Sequence, residues 1–176
     1  MKEILLLLAM FWNVENYFDT YDNPSTKDEE FTPMGENHWS RKKFEQKRDD
    51  IAKTIMLAAD QYGEFPALLG LCEVENRYVL EELVENTPLA RVGYKIIHKD
   101  SPDSRGIDAA LLYREETFAP LETKYLIIFC FTLISFKSSP PYFCKIATNC
   151  ISLREEANPQ TRSVQANALF FRRLNH

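Results

Sequence analysis

Two stretches of the chain are almost continuously apolar, and each ends in polar side chains. Residues 5–12 are all apolar and are followed by Asn13-Val14-Glu15-Asn16, while residues 67–72 contain only apolar residues, Gly and Cys and are followed by Glu73. Runs of this kind are typical of strands buried on both faces. The pattern therefore predicts two buried strands whose carboxyl ends carry carboxylate and carboxamide groups.

Helical spacing predicts two helices around the second of these strands. Ser40 is a suitable N-cap for a helix that runs to about Ala59 or Asp60, with an apolar stripe formed by Phe44, Ile51, Ile55 and Ala58. A second, shorter helix is predicted at Arg77–Glu85, with its inward residues Val79, Leu80, Leu83 and Val84.

Two further strands complete a mixed order of elements. They are predicted at Tyr94–His98 and Ile107–Tyr113, with a turn between them. The order strand, helix, strand, helix, strand, strand indicates an α/β (α+β) domain whose sheet is partly antiparallel. Asp108 lies among apolar neighbours in the last strand, and if it faces the core it needs a partner, for which Arg105 or Lys95 is near enough in sequence.

Two polar regions admit more than one interpretation. Residues 17–39 form an unusually long segment rich in turn-forming residues, and loops of this length are often functional. The first predicted helix also has a basic face, which is either simply solvated or attracts phosphate near a cleft. That face consists of Arg41, Lys42, Lys43, Lys47 and Arg48.

The composition changes after residue 122. The chain has 26 acidic residues, but none lies between Thr123 and Arg154. Residues 125–136 are mostly apolar and end at a Ser-Ser-Pro-Pro break, which indicates either one long buried strand followed by a loop or a disturbed reading frame over about residues 125–148. Beyond Arg154, residues 158–161 resemble a helix start, and a helical face is predicted from Val164, Ala168 and Phe171.

Overall composition bounds the class of protein. A chain of 176 residues is expected to form one domain, and its net charge of −5 argues against nonspecific coating of nucleic acid. The four Cys residues lack CxxC spacing, and no apolar run reaches the ~18 residues that a membrane span requires. The N-terminal run lacks a cleavage site and fits a strand better than a secretion signal, which favours a cytoplasmic location over secretion.

The ends of the two buried strands form a candidate site. Strand ends in layered α/β proteins are where ligand sites gather, and carboxylate and carboxamide oxygens suit a hard cation. Asn13 and Glu73 are therefore predicted to lie together and to bind Mg²⁺. The competing interpretation is that Asn76 only caps the second helix and Glu73 is merely solvated.

Three ordered motifs resemble a known family. They are Phe-Trp-Asn-Val-Glu-Asn-Tyr-Phe-Asp at 11–19, Gly-Leu-Cys-Glu-Val-Glu-Asn at 70–76 and Asp-Ser-Pro-Asp-Ser-Arg-Gly-Ile-Asp-Ala-Ala-Leu-Leu-Tyr at 100–113. Together they resemble the endonuclease/exonuclease/phosphatase superfamily, in particular its bacterial endonuclease-like branch. The resemblance implies a four-layer α/β/β/α sandwich of the DNase I-like type. It also implies hydrolysis of phosphodiesters or phosphomonoesters with Mg²⁺ or Mn²⁺.

The resemblance also implies residue roles. Glu73 is the metal-binding carboxylate, Asn13 assists at the metal and holds the phosphate or the attacking water, and Glu15 lies beside them in the cleft. Arg105, Asn149 and Arg154 are further substrate-binding candidates. The expected partner is a phosphoester, which includes nucleic acid, a phospholipid head group or a sugar phosphate.

The sequence departs from the family pattern in its last third. Cys150 stands where the family has a His in an Asn-His-Trp-Pro-Ser-Arg-like motif, and neither a Gly-Asp-Phe-Asn motif nor a terminal Asp-His pair occurs, since His176 follows Asn175. We therefore expect a domain that is incomplete in its C-terminal half and has little or no turnover. A noncatalytic binding module that uses the 17–39 loop or the basic helix face, or an unstable fragment, would fit the same departures.

Overall fold

The structure is a computed structural model that describes residues 7–126, 131–138, 143–149 and 167–171, with side chains through residue 123. The helices are α1 (Arg41–Tyr62) and α2 (Arg77–Glu85), and single 3-10 turns lie at Glu29–Phe31 and Pro88–Arg91. The strands are β1 (Leu7–Tyr17), β2 (Leu68–Val74), β3 (Tyr94–His98), β4 (Asp108–Arg114), β5 (Phe118–Leu126), β6 (Phe131–Ser138), β7 (Phe143–Asn149) and β8 (Asn167–Phe171).

The strands form two sheets. The larger has the order β3-β4-β2-β1-β8, and the smaller has the order β5-β6-β7. β1 and β2 are parallel, while β4 runs antiparallel to both β2 and β3. The carboxyl ends of β1, β2 and β3 therefore meet at one edge of the larger sheet, which we call the carboxyl edge.

Both helices cover one face of the larger sheet. Their apolar residues join those of the strands in a continuous core that includes Phe44, Ile51, Ile55, Leu69, Leu71, Leu80 and Leu83. Of the predicted stripe, Ala58 is only partly buried, and Ala52 and Ala59 are buried beside it. Two helices packed on one face of a mixed sheet confirm the predicted α/β class.

The helix boundaries follow their caps. The Ser40 hydroxyl accepts a hydrogen bond from the Lys43 amide, which satisfies one of the unpaired N–H groups of the first turn of α1. Gly63 ends α1 with φ +78°, a left-handed conformation that a glycine adopts without a Cβ penalty. Helix α2 has the predicted bounds, and the Asn76 side chain caps it by accepting from the Val79 amide.

The second face of the larger sheet is also apolar. Ala9, Ala67, Leu68 and Leu111 are buried there together with Phe118, the first residue of β5. The smaller sheet thus begins on the face opposite the helices, as the sandwich architecture requires.

Two predictions for the last third of the chain were wrong. Residues 125–136 do not form one long strand, because β5 pairs with β6 and β6 with β7 in an antiparallel meander. Ala168 and Phe171 do not share a helical face, because they lie in β8, which pairs antiparallel with Leu7–Phe11 of β1. Val164, Cys150 and residues 158–161 lie outside the described residues. Within the described residues, no helix is long and apolar enough to cross a membrane.

Candidate functional site

Asn13 and Glu73 meet at the carboxyl edge. The Asn13 Nδ2 atom donates to Glu73 Oε1 at 2.9 Å, and the Asn16 amide donates to Glu73 Oε2 at 3.2 Å. The Glu15 amide in turn donates to Asn13 Oδ1 at 2.8 Å. The two side chains that the sequence placed together are therefore in direct contact, and each also accepts one hydrogen bond from a backbone N–H group.

Two irregularities in strand pairing aim these side chains. Between β1 and β2, Asn13 pairs with Cys72 and Tyr17 with Val74, so three residues of β1 oppose the single residue Glu73. Between β2 and β4, Cys72 pairs with Ala109 and Val74 with Asp108, so Glu73 is an extra residue in β2. A bulge interrupts the alternation of a strand and redirects a side chain, and here it points Glu73 out of the apolar layer.

The backbone is strained at the same residues. Glu15, Asn16 and Glu73 have φ values of 57°, 58° and 60°. A left-handed conformation costs a non-glycine residue roughly 1–2 kcal/mol, less for Asn. Two such Glu residues within one small cluster persist only because the surrounding structure holds them, a pattern that is common at ligand sites.

The arrangement fits a hard divalent cation. Glu73 is half-buried, and among the described residues no Lys or Arg forms an ion pair with it. Each of its carboxylate oxygens accepts one hydrogen bond and keeps lone-pair capacity for a metal. Asn13 presents its amide nitrogen to Glu73 and its oxygen to the Glu15 amide, so in this conformation it orients the carboxylate.

A second, buried network joins the segments that follow β1 and β2. The Asp19 amide donates to Glu75 Oε2 at 2.6 Å, and Asn76 Nδ2 donates to Asp19 Oδ2 at 2.9 Å. Asp28 is also buried, and its carboxylate lies against that of Glu75, within reach of a hydrogen bond from the protonated Glu75 side chain. Burial raises the pKa of Glu75 to about 8, and the Asp19 amide opposes the rise. The negative charges of Asp19 and Asp28 and the hydrogen bond to Asp28 reinforce it.

The long loop between β1 and α1 is ordered by aromatic packing. The Phe18 and Phe31 rings stack with centroids 4.1 Å apart, and Trp39 packs edge-on against Phe31. Trp39 Nε1 also donates to the Phe18 carbonyl at 3.0 Å. These contacts order the loop that follows β1 at the carboxyl edge, and a function for this loop stays a prediction.

Arg105 reaches the same edge from the turn between β3 and β4. Its Nη2 atom lies 2.7 Å from Asp103 Oδ2, and this guanidinium holds the pKa of Asp103 below its ordinary value. Asp108 is buried, but its predicted partners are wrong: it accepts from the Ser101 amide and pairs with His98 Nε2. Lys95 instead pairs with Glu115 on the exposed side of β3.

The other predicted residues lie in varied settings. Glu15 is exposed beside Asn13, and Asn149 is the last residue of β7, paired in register with Phe131. Arg154 lies outside the described residues. On the basic face of α1, Arg41 pairs with Glu45 and Glu82, and Arg48 also pairs with Glu82, so these two arginines bind within the protein.

Sequence reasoning missed two features of this edge. The first is the buried contact between Asp19 and Glu75. Its only signal in the sequence is that Asp19 and Glu75 each follow a buried strand, a few residues after Asn13 and Glu73. The second is the pairing of His98 with Asp108. His98 ends one predicted strand and Asp108 lies at the start of the next, but the register that brings the two together is not readable from the sequence.

A separate groove lies away from this site. It has a volume of about 910 Å³ and is lined by the second half of α1 and the Pro88 turn, including Met56, Asp60 and Phe65. Helix α1 starts near the carboxyl edge and returns the chain to the start of β2, so the groove lies towards the opposite edge. It has no part in the Asn13–Glu73 arrangement.

Comparison with known proteins supports one family. Residues 8–132 match the model described as the Endonuclease/Exonuclease/phosphatase family. No curated protein sequence matches the chain at a significant level.

Three solved structures share the fold. One family protein from Bacteroides thetaiotaomicron superposes with a TM-score of 0.52 at 16% identity, covering 82% of this chain and 49% of its own. Another from Bacteroides vulgatus gives 0.50 at 15% identity, covering 81% and 51%. A mannosyl-6-phosphatase from Bacteroides thetaiotaomicron gives 0.51 at 17% identity, covering 80% and 50%. The chain thus spans about half the length of these structures.

Proposed function

The chain belongs to the endonuclease/exonuclease/phosphatase family, and we propose that it contributes to the hydrolysis of phosphoesters at the carboxyl edge of its larger sheet. The observation that carries the proposal is the contact between Asn13 and Glu73, which the bulges at the ends of β1 and β2 create. A strained, half-buried carboxylate without a cationic partner among the described residues is a feature that stability alone does not explain.

We propose that Glu73 binds Mg²⁺ or Mn²⁺. A bound divalent cation would neutralise the phosphate oxygens that otherwise repel a nucleophile, which is the main requirement of phosphoryl chemistry. Glu73 supplies the negative charge for it, and the Asn16 amide fixes the orientation of the carboxylate.

Asn13 has two roles in this proposal. It holds Glu73 in place through its amide nitrogen, and it orients a phosphate oxygen or the attacking water next to the cation. Direct ligation of the metal through Asn13 Oδ1 requires the amide to turn away from the Glu15 N–H group. Glu15 lies beside this position and is proposed to line the cleft.

Arg105 is proposed to bind the phosphate group. It projects from a turn at the same edge and is largely exposed, and a guanidinium matches the geometry of phosphate oxygens. Asn149 and Arg154 are proposed as further substrate contacts on the family resemblance alone.

The proposed substrate class includes both phosphomonoesters and phosphodiesters. The phosphatase among the structural neighbours acts on a sugar phosphate by its description, which makes small phosphomonoesters the first substrates to assay. Nucleic acid remains in the class, although the net charge of −5 gives no general attraction to it.

We propose that the 176-residue chain alone turns over slowly or not at all. The motifs to which the resemblance assigns water activation do not occur in its sequence. Loss of a positioned general base costs roughly 10²–10⁴-fold in rate. Metal binding therefore tests the proposal more directly than turnover.

The experiment is a titration of the purified chain with Mg²⁺ and Mn²⁺, followed by thermal unfolding. A site on the native state raises stability by about 2.7 kcal/mol when the free metal reaches 100 times its dissociation constant. We expect saturable stabilisation that is lost in Glu73→Gln and kept in Glu64→Gln, a matched control on an exposed glutamate beyond α1. Equal stabilisation of all three proteins would refute the metal assignment.

A further inference from the structure

The turn between β3 and β4 is tied down by a buried pair. His98 Nε2 and Asp108 Oδ2 lie 3.1 Å apart, and the two side chains are 2% and 4% exposed. Because a carboxylate only accepts, the His98 Nε2 atom donates to Asp108. The exposed Asp100 lies 3.9 Å from the other ring nitrogen. The pair joins the last residue of β3 to the first of β4, at the two ends of the turn.

A chain of hydrogen bonds runs from this pair to Arg105. Asp108 Oδ1 accepts from the Ser101 amide at 2.7 Å, and the Ser101 hydroxyl accepts from the Asp103 amide at 3.2 Å. Asp103 Oδ1 then accepts from both the amide and the Nε of Arg105, and its Oδ2 accepts from Nη2. Each link fixes the next, so the direction of the guanidinium depends on the buried end.

The other side of the turn is fastened to the β1–α1 loop. The Lys27 amide donates to the Ser104 carbonyl at 2.7 Å. Gly106, at φ +69°, passes so close to Thr26 that a Cβ there would lie 3.1 Å from the threonine side chain. The turn also lies beside Glu73, because Asp108 pairs in register with Val74.

We propose that His98 and Asp108 are positioning residues that, through Ser101 and Asp103, hold Arg105 where it binds the phosphate group of the substrate. The inference rests on the proposed function and deepens it, because it explains why a turn at the carboxyl edge has a buried histidine–carboxylate anchor. An anchor of this kind is more than a surface turn needs, since burying a carboxylate costs free energy that its hydrogen bonds must offset.

The test compares His98→Ala, Arg105→Ala and the double variant in the presence of Mg²⁺. The measured quantities are the dissociation constant of inorganic phosphate by calorimetry and, where turnover is detectable, KM and kcat for a phosphomonoester. We expect each single variant to weaken phosphate binding about tenfold or more, the range for loss of a hydrogen bond to a charged group. The double variant should be no worse than Arg105→Ala, because His98 acts through Arg105.

Two variants control for general damage to the fold. His98→Gln keeps a donor near the Nε2 position and should restore most of the phosphate affinity. Lys95→Ala removes an exposed charge from the same strand, beyond the anchored end, and should bind phosphate as the unchanged chain does. Hydrogen exchange of the Ser101 and Arg105 amides should accelerate in His98→Ala and stay slow in both controls.

The failures of the two proposals are distinguishable. If the unchanged chain binds phosphate and metal and Glu73→Gln removes the metal, but His98→Ala binds phosphate with unaltered affinity, the positioning role is refuted and the proposed function stands. Additive losses in the double variant, or no phosphate binding by the unchanged chain, also refute the positioning role. Phosphate binding that depends on His98 and Arg105 in a chain without metal binding supports the positioning role and refutes the proposed metal site.

Discussion

Glu75 is a buried carboxyl that makes stability depend on pH. Its pKa in the folded protein is about 8, against an ordinary value of 4.5. Between these values the folded state holds a proton that the unfolded state has lost, so this group lowers stability as pH rises through that window. Below about 4.5 the side chain is protonated in both states, and above about 8 the loss is complete.

We predict that Glu75→Gln weakens this pH dependence. The glutamine keeps an oxygen for the Asp19 amide, and its N–H group replaces the protonated carboxyl as the donor to Asp28. Unfolding in urea with a chelator present should show variant and unchanged chain converging near pH 5, with the variant more stable at pH 8. Parallel curves for the two proteins would contradict the assignment, and Glu64→Gln serves as the control.

A second residue-scale prediction concerns Asn13. Groups that orient a metal ligand typically contribute 10–100-fold to metal affinity. We therefore expect Asn13→Ala to weaken Mg²⁺ or Mn²⁺ binding by about that factor, measured by calorimetry. The control is Asn86→Ala, which changes an exposed asparagine after α2. Equal metal affinities in the two variants would show that Asn13 does not contribute to the metal site.

Asn13→Asp gives an independent check on the same contact. It places a second carboxylate against Glu73 Oε1, so like charges should lower the thermal stability of the metal-free protein. Added Mg²⁺ should then raise the stability of this variant by more than that of the unchanged chain. A metal-free stability equal to that of the unchanged chain would argue against the contact.

The sequence predicted that Asn13 and Glu73 lie together, because the apolar runs locate the strand ends and the family resemblance assigns both residues to one site; the strand order itself does not follow from the pattern. It did not predict the left-handed backbone at Glu15, Asn16 and Glu73, since a bulge leaves no periodic signal. The partner of Asp108 was also missed, because the cross-strand register that brings His98 near it depends on tertiary contacts.

At the scale of elements, the β1–β2 contact depends on one glycine. Phe11 and Gly70 are register partners, and a Cβ on Gly70 would lie 2.4 Å from Phe11 Cδ1. The phenylalanine ring thus occupies the space above Gly70, so the two positions are coupled.

We predict that Gly70→Ala destabilises the fold by about 1–3 kcal/mol, the usual cost of overpacking. Part of that loss should be recovered when Phe11→Leu is combined with it, measured as a coupling free energy in urea unfolding. Gly63→Ala is the control, because Gly63 has a positive φ but, among the described residues, no atom lies within 4 Å of a Cβ placed there. Its cost should be unaffected by Phe11→Leu.

Helices α1 and α2 could be predicted closely, and β8 could not. Ser40, Asn76 and Gly63 are capping residues whose effect is local, so their signals are legible in the sequence. The five residues Asn167–Phe171 fit either structure by composition, and only pairing with β1 selects a strand. Pairing with β1, and not the local sequence, therefore determines that these residues form a strand.

At the scale of the whole molecule, Phe118 links the two sheets. It is the first residue of the smaller sheet and is 4% exposed, and it packs with Leu68 and Leu111 on the face opposite the helices. The sandwich therefore depends on a contact that neither sheet makes alone.

We predict that Phe118→Ala costs about 3–5 kcal/mol, as for other buried aromatic residues. Leu121→Ala, three residues along β5 and 52% exposed, should change stability by less than about 0.5 kcal/mol. Urea unfolding monitored by circular dichroism measures both, and similar losses in the two variants would mean that Phe118 does not carry the contact between the sheets.

The position of β1 inside its sheet has a consequence for biosynthesis. Ala9 pairs with Leu68 on one side and with Leu169 on the other. The ribosome makes β1 before either neighbour, and at roughly 5–20 residues per second the second neighbour arrives several seconds after the first. During that interval a nascent chain presents an apolar strand with one unpaired edge, which can pair with another chain until β8 covers it.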